Sequence, residues 1–192
     1  MIVRAESKLS KSDPILANII ETVAERWPTL PTENPIWGLM RIVMAQQVST
    51  VVACRIAARA LSAYPRLLSP SPSEPLDPSK FRALGLSQRR AQCCADLVSR
   101  SQEILTKIEN GSTWEQALNG IKGIGPWTIS VFKIMVLRDP DVLPVGDVGL
   151  ERAVRNAYGI AEDVVTLSEK WRPFRSAACW YLWRTLGNQQ LG

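Results

Sequence analysis

Two groups of residues in this chain have the types and spacing to do chemistry together. Gly123-Ile124-Gly125, preceded by Ile121 and Lys122 and followed by Pro126-Trp127-Thr128, spells a turn leading into a helix. Glycines permit positive φ and close approach, so successive N–H groups at the head of a helix can point at an anion such as a phosphate. The same letters also fit a plain tight connection between two helices. Twenty residues beyond Trp127 stands Asp147, within Leu143-Pro144-Val145-Gly146-Asp147-Val148-Gly149-Leu150. An aspartate just ahead of an apolar-periodic run is a good N-cap. Negative charge is also favoured there by the helix dipole, which suits an acid that stabilises developing positive charge and donates no proton. The stretch Leu118–Leu150 thus joins a phosphate grip, an acid and an indole.

Composition narrows what that chemistry can be. The chain has 192 residues, 46% hydrophobic and 21% charged, with a net charge of +5. That is the balance of a globular protein, and its modest basicity favours an anionic partner such as nucleic acid. There is no histidine, which removes Ser-His-Asp and Cys-His catalysis and histidine-containing zinc sites. Cys54, Cys93, Cys94 and Cys179 form no C-x-x-C pair and fit no zinc ribbon or iron–sulfur spacing. Buried free thiols in a reducing compartment are expected. The N-terminus has no apolar core of a signal peptide and no later run is long enough to span a membrane, so a cytoplasmic, DNA-associated protein is expected.

The elements that must position these residues are helical throughout. Asp13-Pro14 starts a helix whose Ile15, Leu16, Ile19, Ile20, Val23 and Trp27 recur at helical spacing as a buried face. A second helix runs from Ile36 through Met44 to the polar pair Gln46-Gln47, read either as a solvated helix end or as hydrogen-bonding side chains presented to a base or backbone. Ser49 or Thr50 caps the next helix, with Val52, Ile56 and Ala60 as its apolar stripe. A loop carrying Pro31 occupies 28–35, the one proline-rich stretch is the loop 70–78, and Ser79–Leu84 is a short helix closed by Gly85. Ser87 caps a long helix with Ala91, Cys94, Val98 and Leu105 inward and Arg89, Arg90 and Arg100 outward. Ser112 or Thr113 caps a short helix to Leu118, Val148–Tyr158 is closed by Gly159, Ser168 caps a turn, and Pro173 begins a final aromatic-rich helix. No strand alternation occurs, so an all-α fold of about ten helices is expected.

Several separated segments carry a family resemblance. Gly120-Ile121-Lys122-Gly123-Ile124-Gly125-Pro126-Trp127-Thr128 fits the hairpin of a helix-hairpin-helix motif. With Leu-Pro-Val-Gly-Asp147-Val-Gly-Leu, the glutamine segment MAQQVST, the segment GLSQRRA and the closing WRPFRSAACWYLWRTLG, it resembles the helix-hairpin-helix DNA glycosylase superfamily, in its DNA-3-methyladenine glycosylase II (AlkA-like) branch. The resemblance runs from about Pro35 to Gly187. It implies one unit over 1–192, with a central lobe of about 35–136 holding the hairpin and a second lobe from 1–34 plus 137–192. There is no room for an N-terminal β lobe.

Position by position, the resemblance implies Asp147 as the catalytic acid and Trp127 and Trp183 as walls of the base pocket. Val131 and Val148 stand where relatives place pocket aromatics. Gly123, Gly125, Lys122 and Thr128 fall at the DNA phosphates, and the backbone carbonyls of Asn119, Ile121 and Ile124 where a monovalent cation (Na+ or K+) is held. Gln46 and Gln47 fall at the gap left by an extruded nucleotide, with Gln47 favoured as the wedge. Lys133, Arg152 and Arg155 are further basic residues that could assist the backbone grip. Trp127 replaces the lysine of bifunctional lyases, and one C-terminal cysteine cannot hold an iron–sulfur cluster.

The implied activity is monofunctional excision of alkylated purines of the 3-methyladenine and 7-methylguanine type from duplex DNA, without a chemical cofactor, by a monomer acting in base excision repair. A non-catalytic lesion-binding module, or a glycosylase of different base specificity, are the competing readings.

Overall fold

Most helices in this protein begin where a short polar side chain takes the first free N–H groups. Asp13 accepts from Ile15 and Leu16, Asn34 from Trp37, Ser49 from Val52, Asp77 from Ser79 and Ser87 from Arg90. Thr113 and Gln116 close a reciprocal capping box, and Asp147 and Asp163 cap in the same way. The computed structural model describes residues 2–28, 34–69, 76–159 and 163–187. Among them are twelve α-helices and no strand: α1 Ile2–Ser12, α2 Pro14–Thr22, α3 Pro35–Ala45, α4 Thr50–Ala63, α5 Pro78–Ala83, α6 Gln88–Ser99, α7 Ser101–Glu109, α8 Trp114–Ala117, α9 Pro126–Phe132, α10 Val148–Tyr158, α11 Val164–Ser168 and α12 Arg175–Arg184. The loops expected at 28–35 and 70–78 lie largely outside the described residues.

Apolar side chains are buried in two clusters. One runs from Ile36 to Val136 and gathers α3, α4 and α5–α8. The other joins Ala5–Trp27 to Leu150–Leu186, with α12 at its centre. Every side chain of α12 from Ser176 to Trp183 is buried, including three large aromatics. α9 belongs to both: Phe132 and Val136 face the first cluster, Val131 and Ile134 the second. Its last turn widens to a π-helical turn over Lys133–Leu137 and stops at Arg138, in the left-handed region.

Several sequence expectations are corrected here. α1 was not anticipated: IVRAESKLSKS is mostly polar and buries Ala5 and Leu9. α2 ends at Thr22, so Trp27 enters the core from a loop, and Ile15 is exposed. The long helix after Ser87 breaks at Arg100, which turns the following helix so that Ile104, and not Leu105, is fully buried. Val52 and Cys54 are exposed on α4. Asp163 caps α11, which Ser168 ends, and the final helix begins at Arg175.

Candidate active site

The hairpin lies between α8 and α9. Gly120 and Gly123 have φ of +81° and +103°, which L side chains rarely adopt. Gly123 is also pressed against α6, where a Cβ would meet Cys93 Cβ and Sγ at 3.3 Å. Burial pushes the Cys93 thiol up to about 12, so it serves there as an unreactive packing surface. Gly125 is the N-cap of α9 with extended backbone, φ −110°; its part is open approach, since nothing lies near its missing side chain. Among the described residues, the N–H groups of Gly123, Gly125, Trp127 and Thr128 meet no backbone acceptor. They form a row of free donors at a helix head, beside the exposed Lys122.

The glutamine turn is fastened to this hairpin. Gln46 Nε2 donates to the Gly123 carbonyl (3.4 Å) and to Thr128 Oγ1 (3.2 Å). Arg90 Nη1 donates to the carbonyls of Met44 (3.1 Å) and Gln46 (2.9 Å), satisfying the open end of α3. Gln47 is left exposed with φ +59°, in the left-handed region. Two expectations change as a result. Thr128 is 3% exposed and its hydroxyl is taken by Gln46, so its side chain braces the hairpin and its N–H is what remains for an anion. Arg90 holds the turn and is not part of an outward row, while Arg100 pairs with Glu103. Lys133 is likewise committed, to Glu115.

Asp147 is both a cap and something more. It is 2% exposed, and its Oδ1 accepts from the Leu150 N–H at the head of α10. The indole of Trp183, from α12, donates to Oδ1 at 3.0 Å, and that of Trp127, from α9, donates to Oδ2 at 2.6 Å. Three helices thus converge on one carboxylate. Three donors on a group with about four acceptor sites leave capacity on Oδ2. A buried charge held by three hydrogen bonds is fixed in orientation as well as compensated.

The carboxylate and both indoles line a cavity of about 590 Å³ between the two apolar clusters. Val131, Ile42, Ala45, Ala53, Met135 and Val136 supply apolar wall, and Trp180 adds a third indole. Val148 does not join them. It is the first residue of α10 and is 64% exposed. The cation expected at the hairpin can be tested against the carbonyls present. The Ile121 carbonyl accepts the Ile124 N–H, whereas no backbone hydrogen bond ends on those of Asn119 or Ile124 among the described residues. The donor set is neutral oxygen and fits a weakly charged hard cation.

The family model described as "HhH-GPD superfamily base excision DNA repair protein" matches residues 40–173. This chain belongs to that family.

It is 33% identical over 164 residues to a probable bifunctional transcriptional activator/DNA repair enzyme AlkA of Mycobacterium tuberculosis, covering 77% of this chain and 32% of that protein. The chain therefore spans about a third of the length of that relative. It is 28% identical over 200 residues to DNA-3-methyladenine glycosylase 1 of Schizosaccharomyces pombe, covering 96% of this chain and 87% of that protein. Among solved structures, a 3-methyladenine DNA glycosylase of Schizosaccharomyces pombe in complex with abasic DNA superposes with a TM-score of 0.75 at 28% identity, covering 95% of this chain and 96% of that one. A DNA-3-methyladenine glycosidase from Bacillus halodurans gives 0.65 at 27% identity, covering 94% and 87%.

Proposed function

We propose that this protein is a monofunctional glycosylase that removes alkylated purines from duplex DNA, the first step of base excision repair. The observation that carries the reading is the Asp147 carboxylate, gripped by the indoles of Trp127 and Trp183 on the wall of a cavity large enough for a flipped base. A base inside the stack cannot reach that carboxylate, so its nucleotide must rotate out at a cost of a few kcal/mol. The free N–H groups of Gly123, Gly125, Trp127 and Thr128, with Lys122, would hold the backbone during that rotation, and the exposed Gln47 would fill the gap left behind. The carbonyls of Asn119, Ile121 and Ile124 would hold a monovalent cation that adds positive charge beside the backbone.

In the cavity the purine stacks on indole, which attracts an electron-poor alkylated ring by roughly 0.5–2 kcal/mol. The C1′–N bond breaks with its electron pair leaving on the base. The Asp147 carboxylate stabilises the positive charge that develops on the sugar. A water oxygen bonds to C1′ and releases a proton, giving free base and an abasic site. A lyase step needs an amine nucleophile. Among the described residues lining the cavity there is no lysine, and the Trp127 nitrogen is committed to Asp147.

The test is incubation with duplex DNA methylated in its purines. Free methylpurine and alkali-labile sites, with strands intact before alkali, are expected. Tight binding without release would make the protein a lesion-binding module. Strand scission without alkali would overturn the monofunctional assignment.

A further inference from the structure

The cavity is longer than the chemistry at Asp147 requires. Trp127 and Arg138 both line it, eleven residues apart, Trp127 in the first turn of the helical run from Pro126 to Leu137 and Arg138 just past its end. At 1.5 Å per residue that separation is roughly 16 Å. Along α3 the lining extends from Gly38 to Ala45 and on to Val48. A purine set against Trp127 and Asp147 therefore leaves the Arg138 end unfilled.

The charged lining of the cavity is mostly cationic. Arg26, Arg41, Arg138 and Arg184 line the cavity, against two acids among the described residues, Glu25 and Asp147. Glu25 is used by Arg184 at 2.9 Å, and Asp147 by its three donors. Arg184 also lies over the Trp180 ring at 4.4 Å. Arg26 pairs with Glu6 at 3.5 Å. Arg41, exposed on α3, makes no ion pair or hydrogen bond among the described residues. Arg138 is half-buried, its Nη1 donating to the Ile134 carbonyl at 3.3 Å. Burial and the nearby Arg184 charge hold the Arg138 guanidinium below its ordinary pKa. Walls of Ile42, Ala45, Met135 and Val136 lower the local dielectric and strengthen the field of these charges.

We propose that the arginine end of the cavity, centred on Arg41 and Arg138, is an anion subsite, and that this protein excises purine adducts whose N-linked substituent carries a carboxylate in preference to neutral substituents of the same shape. The proposal rests on the glycosylase reading of Asp147. The reaction is the same hydrolysis: water adds at C1′, the C1′–N bond breaks, and the substituent leaves unchanged on the purine. A carboxylate held by guanidiniums gains charge-assisted hydrogen bonds, whereas an amide of equal size does not gain the charge term.

The test compares duplexes carrying a single 7-(carboxymethyl)guanine, its neutral isostere 7-(carbamoylmethyl)guanine, or 7-methylguanine, in single-turnover release at fixed ionic strength. The carboxymethyl adduct should be released about tenfold faster than the carbamoylmethyl one. In Arg41→Gln/Arg138→Gln that ratio should fall towards one while 7-methylguanine release is unchanged. Arg41→Gln alone, on an exposed helix face, should lower the ratio by about threefold and keeps the test open where the double variant does not fold. Equal release of the two isosteres by the wild type, or a ratio indifferent to these substitutions, overturns the subsite. Release of none of the three overturns the glycosylase reading and the subsite with it.

Discussion

Asp147→Asn removes more than a charge. Oδ1 accepts from Trp183 Nε1 at 3.0 Å and from the Leu150 N–H, and Oδ2 from Trp127 Nε1 at 2.6 Å. All three partners are donors and none can accept. The single oxygen of asparagine is best used on the Leu150 and Trp183 side, where it also preserves the N-cap. Its NH2 group then faces the Trp127 N–H, donor against donor. A hydrogen bond to a charged acceptor is worth about 1.5–3 kcal/mol and an orphaned donor costs about 1–3 kcal/mol. Relief from burying a carboxylate offsets part of this. The net expectation is a loss of about 2 kcal/mol, or about 4–8 °C in Tm for a chain of this size.

Trp127→Phe in the same background keeps an aromatic ring, smaller than the indole, and deletes the opposing N–H. The double variant should therefore recover much of the stability lost by Asp147→Asn, with a coupling of about 1–2 kcal/mol in the double-mutant cycle. Urea or thermal unfolding of the four proteins measures it. An additive cycle, or an Asp147→Asn protein as stable as the wild type, would refute the indole clamp.

Other perturbations bear on the surrounding frame. Gly123→Ala forces a side chain to φ +103° and brings its Cβ to 3.3 Å from Cys93; it should cost about 1–3 kcal/mol in unfolding and weaken binding to duplex DNA in a salt-titrated binding assay. Gln47→Gly suits a φ of +59° and should leave stability within about 1 kcal/mol of the wild type, while slowing base release from a fully paired duplex in single-turnover kinetics. Asp13 ties α2 to Tyr158 and Trp171 at 2.7 and 2.8 Å. Burial alone would raise its carboxyl, but the Trp171 indole, the Tyr158 hydroxyl, the Leu16 N–H and the Lys170 ammonium outweigh it and hold the group below the ordinary 3.8. A depressed folded pKa gives stability that is present above the unfolded value and lost as pH falls through the folded one. Asp13→Asn should therefore unfold more easily at neutral pH and show a shallower loss of stability below about pH 4 than the wild type.

Local features of the site were legible in the sequence because their causes are local. The Gly123 turn follows from positive φ, and the cap at Asp147 follows from its place before an apolar run. That Trp183 reaches Asp147 across 36 residues follows from how α12 packs between α2 and α10, and the sequence conveyed it only through a family likeness. Thr128 and Val148, named through the family likeness, show what such a likeness leaves open: whether the side chain at a matched position is buried or exposed. Each lies one residue from a site side chain on a helix, where a step of about 100° decides between burial and solvent. α1 was missed because its sequence is mostly polar, with Ala5 and Leu9 the buried positions among the described side chains. Arg90, which fastens the glutamine turn, and the arginines around the far end of the cavity carry no local signal. Their neighbours are set by the meeting of α3, α6, α9 and α12.

The role of Asp147 is read most directly from a duplex with one 7-methylguanine at a defined position, in single-turnover release by wild type, by Trp127→Phe and by Asp147→Asn/Trp127→Phe, whose donor conflict is removed and whose loss of the indole wall the single variant measures. With folding verified and binding to an abasic duplex retained, the wild type should release the base and the double variant should fall by a factor on the order of 10³, the loss of a preorganised electrostatic stabiliser. Release by the double variant at the wild-type rate would contradict the assignment of Asp147 as the acid that stabilises the breaking C1′–N bond.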